Sequence, residues 1–217
     1  NRKTFCSFDT ETKQEKTLFA TKNFDVGRII SYQERVYLLM RHWDNNHNSI
    51  DSLWSYDLKT EKQQMFEPIK GFDIQQIIPY RNRVYLLVHN TTEKYNALCS
   101  FDSEDPSKQA VIHFRFSSNS PFKVSPPYFA YAKCENDLPV YVFNMDTQQL
   151  TKAASGCGYV VRTESFLFFE GSTTYHTNSF EIIENYLYFQ RGELFESELC
   201  RVDLLDPDKT VHTIMPT

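Results

Sequence analysis

Glycine is scarce in this chain, six residues in 217. No dinucleotide fingerprint, phosphate-cradling loop or G-x-S-x-G nucleophile elbow can be read from the sequence, and no CxxC pair occurs. No run of eighteen apolar residues is present, which excludes a membrane-spanning helix. Basic residues do not dominate either. Lys and Arg total 23 against 28 Asp and Glu, a formal charge of −5, so a broad electrostatic grip on nucleic acid or an anionic membrane is not expected. The first residue is Asn and no signal-like apolar stretch follows it, as expected of a mature form or a piece of a longer polypeptide.

Aromatic residues are abundant by contrast, with 18 Phe and 13 Tyr spread along the whole chain, a composition that suits strands. They fall in a repeating pattern: an aromatic or Cys, one residue, an aromatic or Val, Asp or Asn, two residues, then Thr or Asp. It reads Cys6-Ser-Phe-Asp-Thr-Glu-Thr12, Trp54-Ser-Tyr-Asp-Leu-Lys-Thr60, Cys99-Ser-Phe-Asp-Ser-Glu-Asp105, Tyr141-Val-Phe-Asn-Met-Asp-Thr147 and Cys200-Arg-Val-Asp-Leu-Leu-Asp206. The copies lie 48, 45, 42 and 59 residues apart. That period, with strand-like content, predicts an all-β chain built as a β-propeller of four-stranded antiparallel blades.

Four short strands are expected per unit, at Ile29–Tyr32, Arg35–Met40, Ser52–Asp57 and Gln63–Glu67 in the second copy. The third copy repeats it at an offset of 48, with ten of the sixteen positions from Phe24 to Leu39 identical. Blades are expected over 1–20 (partial), 24–68, 72–116, 122–154 and 158–217. The first has only its last two strands, and the last holds an extra hairpin or strand pair. The recurring Asp9, Asp57, Asp102 and Asp203, with Asn144, end the third strand of each unit, where a short carboxylate or amide accepts backbone N–H bonds and closes a turn. Recurrence in every unit argues against catalysis, which needs one convergent cluster.

Cys6, Cys99 and Cys200 share a repeat position and are expected to be small buried hydrophobes. Cys134 and Cys157 lie outside the pattern and are the candidate disulfide pair. Reduced thiols lean towards an intracellular protein, while Asn90-Thr91-Thr92 is an N-glycosylation triplet and leans the other way.

The strand Arg35-Val-Tyr-Leu-Leu39, repeated as Arg83-Val-Tyr-Leu-Leu87, followed by Tyr56-Asp57-x-x-Thr60, resembles kelch-type propeller repeats in a degenerate form. Met40-Arg41 and Val88-His89 stand where that family has a Gly-Gly pair, and its fourth-strand Trp is missing. The resemblance implies four-stranded blades and a non-enzymatic platform that docks another protein chain or domain, with no cofactor. Loops expected on one face, including 41–51, 89–96, 20–24, 67–72 and 116–122, gather Lys22, Arg41, Trp43, His47, Lys70, Tyr95 and Phe116 as candidate contacts. Tyr175 in the irregular 171–180 stretch joins them. His42 and His47 flank Asp44, but a solvated loop outweighs a metal site there. The alternatives are a carbohydrate-binding extracellular propeller and a glycan-processing enzyme, the latter using Asp25, Asp73 or Glu181 on inner strands.

Overall fold

Hairpin chemistry sets the architecture. The computed structural model describes residues 2–22, 24–43, 49–66, 69, 71–133, 139–155, 159–163, 173–177, 180–193 and 196–216. Among these, β1 (Arg2–Phe8) and β2 (Glu15–Lys22) pair as a two-stranded sheet. A four-stranded meander follows, β3 (Asp25–Tyr32), β4 (Arg35–Trp43), β5 (Ser49–Asp57) and β6 (Gln63–Met65). The next comprises β7 (Phe72–Tyr80), β8 (Arg83–Asn90), β9 (Tyr95–Asp102) and β10 (Val111–Ser117). A third comprises β11 (Phe122–Ser125), β12 (Tyr128–Ala132), β13 (Val140–Asn144) and β14 (Gln149–Ala154). The pair β15 (Tyr159–Thr163) and β16 (Thr173–Thr177) precedes a fourth meander of β17 (Phe180–Ile183), β18 (Tyr186–Glu193), β19 (Glu196–Asp203) and β20 (Val211–Pro216). The fold is the all-β, blade-built propeller that the repeat predicts, with an incomplete first blade. The chain forms two compact units, Asn1–Arg115 and Phe116–Thr217.

Each repeated Asp or Asn works as a turn former. The amides of Glu11 and Thr12 donate to Asp9 Oδ1 at 2.8 and 2.9 Å, and those of Lys59 and Thr60 donate to Asp57 Oδ1 at 3.0 and 2.8 Å. Asn144 accepts from Asp146 and Thr147, Asp102 from Glu104, and Asp203 from Leu205. In the four-stranded blades the residue after the motif Asp or Asn then ties the two hairpins together. Leu58, Ser103, Met145 and Leu204 donate their amides to the carbonyls of Glu34, Asn82, Pro127 and Asn185 in the turn between the blade's first two strands. A side chain that shortens one turn thus positions the amide that anchors the other, which is why the residue recurs.

The scarcity of glycine has a structural counterpart. Among the described residues, eight other than glycine adopt left-handed backbone, including Lys13, Glu61, Lys94 and Gln148 at φ 59°, 58°, 57° and 56°. All four follow an Asp or Asn by four positions, at the turn where the chain reverses. A side chain there costs about 1–2 kcal/mol, partly offset by the entropy that glycine loses on folding. Lys13→Gly, Lys94→Gly and Gln148→Gly are each expected to raise stability by about 0.5–1 kcal/mol, near-additively, in urea denaturation. A triple variant no more stable than the parent would refute this account of the turns.

The core of the first unit is built from facing blades. Tyr37, Leu39 and Leu53 from β4 and β5 meet Ile77, Val84, Leu86, Cys99 and Phe101 from the next blade, with Phe66 fully buried among them. The second unit has its own core around Val140, Val142, Leu187, Phe189, Cys200 and Val202. Cys99 and Cys200 are therefore buried as expected, but Cys6 is exposed. Cys99 and Cys200 each belong to the core of their own unit, whereas Cys6 stands on a two-stranded sheet outside both described core clusters. Cys134 and Cys157 lie outside the described residues.

Candidate functional site

A concavity lies at the hairpin turns of the β3–β6 and β7–β10 blades. It encloses about 520 Å³, and its lining includes Tyr32, Arg35, Tyr37, Asp57, Arg81 and Glu104. Arg35 opens β4 directly opposite Asp57, the last residue of β5. Its Nε lies 3.5 Å from Asp57 Oδ2 and its Nη2 2.9 Å from Glu104 Oε1, while Nη1 donates to the Ser103 carbonyl. Burial opposes the charge on Arg35, yet the Glu104 and Asp57 carboxylates hold its pKa above the ordinary value. Asp57 is held below the usual carboxylate range, first by the Thr60 amide and also by Arg35. Burial pushes the Tyr37 phenol up. The Arg81 amide donates to Tyr32 Oη at 2.9 Å. These contacts join one blade to the next. Asp57 is a poor general base because its charge is already satisfied.

Two polar pairs, each joining a half-buried cationic-type side chain to a buried acceptor, occupy one repeat position at the opposite end of the strands. Arg41 Nε and Nη2 donate to the Asp51 carboxylate at 2.7 and 3.2 Å, and the Ile74 amide of the next blade donates to Asp51 Oδ2 at 3.2 Å. The Asp51 side chain is fully shielded. In the following blade His89 and Asn96 stand at these positions, with Nδ1 and Oδ1 2.9 Å apart. An arginine–carboxylate pair in one blade is a histidine–amide pair in the next. Beside them Phe24 packs edge-on against His42 and Trp54, with ring centroids at 5.1 and 6.0 Å.

A serine and a histidine also meet. Ser100 Oγ lies 2.9 Å from His113 Nε2 and accepts from Arg83 Nη1 at 3.0 Å. Ser100 has no exposed surface, so it is no nucleophile for an external substrate. Burial, reinforced by the Arg83 charge, brings the His113 pKa down from 6.5 to about 4. The folded state thus binds its proton less readily than the unfolded chain. The stability contributed by neutral His113 is complete above pH 6.5 and is lost as pH falls towards 4. With the ring half-buried the loss is about 1–2 kcal/mol rather than the full value of the shift. His113→Gln is expected to flatten the stability profile between pH 6.5 and 4; an unchanged slope would show that the ring titrates normally. Burial pushes the Cys99 thiol up to about 12, and Cys6 is also raised, chiefly by its bond to Glu15, so neither supplies a thiolate.

Of the expected docking residues, only Arg41, Tyr95 and Phe116 have described side chains. Phe116 was expected in an inter-blade loop. It is buried at 6% exposure and stacked on Tyr131 at 4.8 Å, because β10 runs on to Ser117 and alternation turns Phe114 and Phe116 inward. Tyr95 is half-buried, 5.8 Å from Phe72, with the Arg115 guanidinium over its ring at 4.9 Å. Arg41 is committed to Asp51. Lys22 and Trp43 end β2 and β4, and Tyr175 lies in β16, but their side chains are outside the described residues, as are His47 and Lys70 entirely. Asn90 uses its Oδ1 to accept the Thr92 and Glu93 amides in the β8–β9 turn, the same role as the motif Asp residues. Among the described residues no three His, Cys, Asp or Glu side chains are placed to hold a metal ion.

No protein-family model matches the sequence, and no curated protein does. Solved structures do. The β-propeller domain of the trilobed protease from Pyrococcus furiosus, of open velcro topology, matches 89% of this chain and 58% of its own at 9% identity, TM-score 0.51. Dipeptidyl peptidase 4 from Porphyromonas gingivalis matches 84% of this chain and 29% of its own at 9% identity, TM-score 0.56. Oligogalacturonate lyase from Vibrio parahaemolyticus matches 97% and 59% at 11% identity, TM-score 0.54. At these identities the likeness establishes the β-propeller fold. The chain spans less than two thirds of each of these structures.

These matches correct two expectations. The propellers this chain resembles belong to peptidases and a lyase, not to kelch proteins, and they are parts of enzymes rather than non-enzymatic docking platforms. The kelch resemblance rested on Tyr56-Asp57-x-x-Thr60 and the strand before it. That motif is turn chemistry, open to any four-stranded blade.

Proposed function

We propose that this chain is the propeller part of a peptidase-type enzyme, accompanying a hydrolase domain that supplies the nucleophile. The observation that carries the reading is the likeness, over 84% and 89% of the chain, to propellers of two peptidases. The chemistry within the chain agrees. Its Ser–His pair is sealed, the Cys6 and Cys99 thiols are held protonated, and the Asp57 charge is satisfied by backbone amides and an arginine. The role left to such a propeller is to frame and restrict the approach to a neighbouring active site.

A second reading has a specific observation behind it. The lyase match extends over 97% of the chain, and another structure of this kind is an oligogalacturonate lyase in complex with manganese. A manganese site needs several convergent oxygen or nitrogen donors, and the described residues present no such group. The peptidase reading is therefore preferred.

The purified chain, assayed with dipeptidyl p-nitroanilides and separately with oligogalacturonate plus Mn²⁺, separates the two. The preferred reading expects neither substrate to be turned over by the chain alone, with peptide cleavage regained once the accompanying hydrolase domain is present. Manganese-dependent release of unsaturated uronate would establish the lyase reading instead.

A further inference from the structure

The second unit repeats the joint at which the cavity lies, and closes it. Between its β11–β14 and β17–β20 blades, Tyr128 opens β12 opposite Asn144, as Arg35 opens β4 opposite Asp57. The Leu204 amide meets the Asn185 carbonyl there, as the Ser103 amide meets that of Asn82. Tyr128, Ala130 and Leu204 are 2%, 0% and 6% exposed, belong to one core cluster and fill the joint. The Tyr128 hydroxyl donates to Asn185 Oδ1 at 3.3 Å. The first unit has Arg35, Tyr37 and Ser103 at those three positions, and a cavity of about 520 Å³. That volume suits a small ligand.

Apolar filling is the simpler way to join two blades. An arginine placed there, its side chain 18% exposed, requires carboxylates to offset its lost hydration. Its contacts differ in kind. Asp57 ends a strand and is fixed further by the Lys59 and Thr60 amides, and the Ser103 carbonyl is backbone. Glu104 instead reaches Arg35 Nη2 from an exposed turn, through Oε1 at 2.9 Å, and its side chain is 71% exposed. Such a contact holds weakly against a competing carboxylate. The cavity wall offers that competitor a further donor. Tyr32 Oη accepts the Arg81 amide at 2.9 Å, and its own proton has no acceptor among the described residues.

We infer that the cavity binds a small ligand by its carboxylate, which replaces Glu104 on Arg35 Nη2 while Glu104 turns into solvent. Tyr32 Oη donates to the ligand from the cavity wall, and Arg81 adds positive charge to the lining. Glu104 is an internal stand-in that keeps Arg35 paired until the ligand arrives. A peptide C-terminus and a uronate both carry this group, so the inference holds under either reading of the function.

The test is calorimetric titration of the purified chain at low ionic strength. The probes are N-acetyl-Ala-Ala and galacturonate, each with its uncharged counterpart, the peptide amide and galactose. The expected result is saturable binding of one acid or both, with dissociation constants in about the millimolar range, and none of the uncharged forms. Which acid binds identifies the source of the carboxylate. Glu104→Gln, which removes the competing charge from an exposed position, is expected to tighten binding about threefold. Tyr32→Phe is expected to weaken it about threefold, with an unchanged urea transition showing that the chain still folds. Failure of both acids to bind the parent and the Glu104→Gln protein below about 10 mM overturns the inference. So does binding of an uncharged form as tightly as its acid, or an affinity that Glu104→Gln leaves unchanged.

Discussion

Replacing Asp51 by alanine is expected to destabilise the protein by about 2–4 kcal/mol, a large share of the stability of a domain this size. Three donors converge on that carboxylate: Arg41 Nε at 2.7 Å, Arg41 Nη2 at 3.2 Å and the Ile74 amide at 3.2 Å. The Ile74 bond crosses from one blade to the next, beside the break in β7 register between Ile74 and Gln76. Alanine strands a buried amide and removes the counter-charge of Arg41. The Arg41 side chain is 43% exposed and keeps some hydration, which holds the cost below that of a fully buried ion pair. Asp51→Asn should cost less, about 1–2 kcal/mol, since its one amide oxygen can still accept from the Ile74 amide and Arg41 Nη2 while its NH2 group loses the Arg41 Nε bond. The next blade already works that way, with Asn96 and His89. Urea denaturation decides it: an alanine variant within 0.5 kcal/mol of the parent would mean that Asp51 does not join the blades.

Phe101→Ala is expected to cost about 3–5 kcal/mol, enough to bring the first unit close to unfolding at 37 °C. The ring is 2% exposed and meets the fully buried Phe66 edge-on at 5.3 Å, so its removal leaves a cavity between two blades that cannot close easily. Phe8→Ala, at the same repeat position, should change stability by less than about 0.5 kcal/mol because Phe8 is largely solvated. One motif residue thus gives two outcomes, according to whether the neighbouring face is covered. Equal losses at the two sites would show that the β1 face is covered in solution.

Much of the fold was legible because propeller blades write their turns into the sequence. Asp9, Asp57 and Asn144 recur because only a short acceptor side chain reaches the amides two and three residues on. The left-handed residues were not legible, since Lys13, Glu61 and Gln148 carry no mark of φ > 0 where glycine would have announced it. The blade-joining pairs were hidden for a different reason. Strand alternation says which face Arg41 and Asp51 share, but not that the next blade's Ile74 amide closes over the carboxylate. Arg41 therefore read as an exposed contact. Phe116 read as loop because the end of β10 has no turn residue to stop it before Ser117. Ser100 and His113 are thirteen residues apart on adjacent strands, and only the pairing of β9 with β10 brings them together. The kelch resemblance misled because its strongest residues encode the turn itself, which unrelated propellers share. Function was the least legible, since one propeller fold hosts many unrelated activities.

The central claim is that this propeller serves a peptidase-type enzyme. The most direct measurement is to purify the protein in its natural form through an affinity tag on this sequence and assay dipeptidyl p-nitroanilide cleavage. The account predicts peptidase activity that co-elutes with the tagged propeller in constant proportion and is lost when the propeller is removed by specific proteolysis or immunodepletion. A homogeneous tagged protein that cleaves no peptide substrate, or that instead cleaves oligogalacturonate in the presence of Mn²⁺, would contradict it.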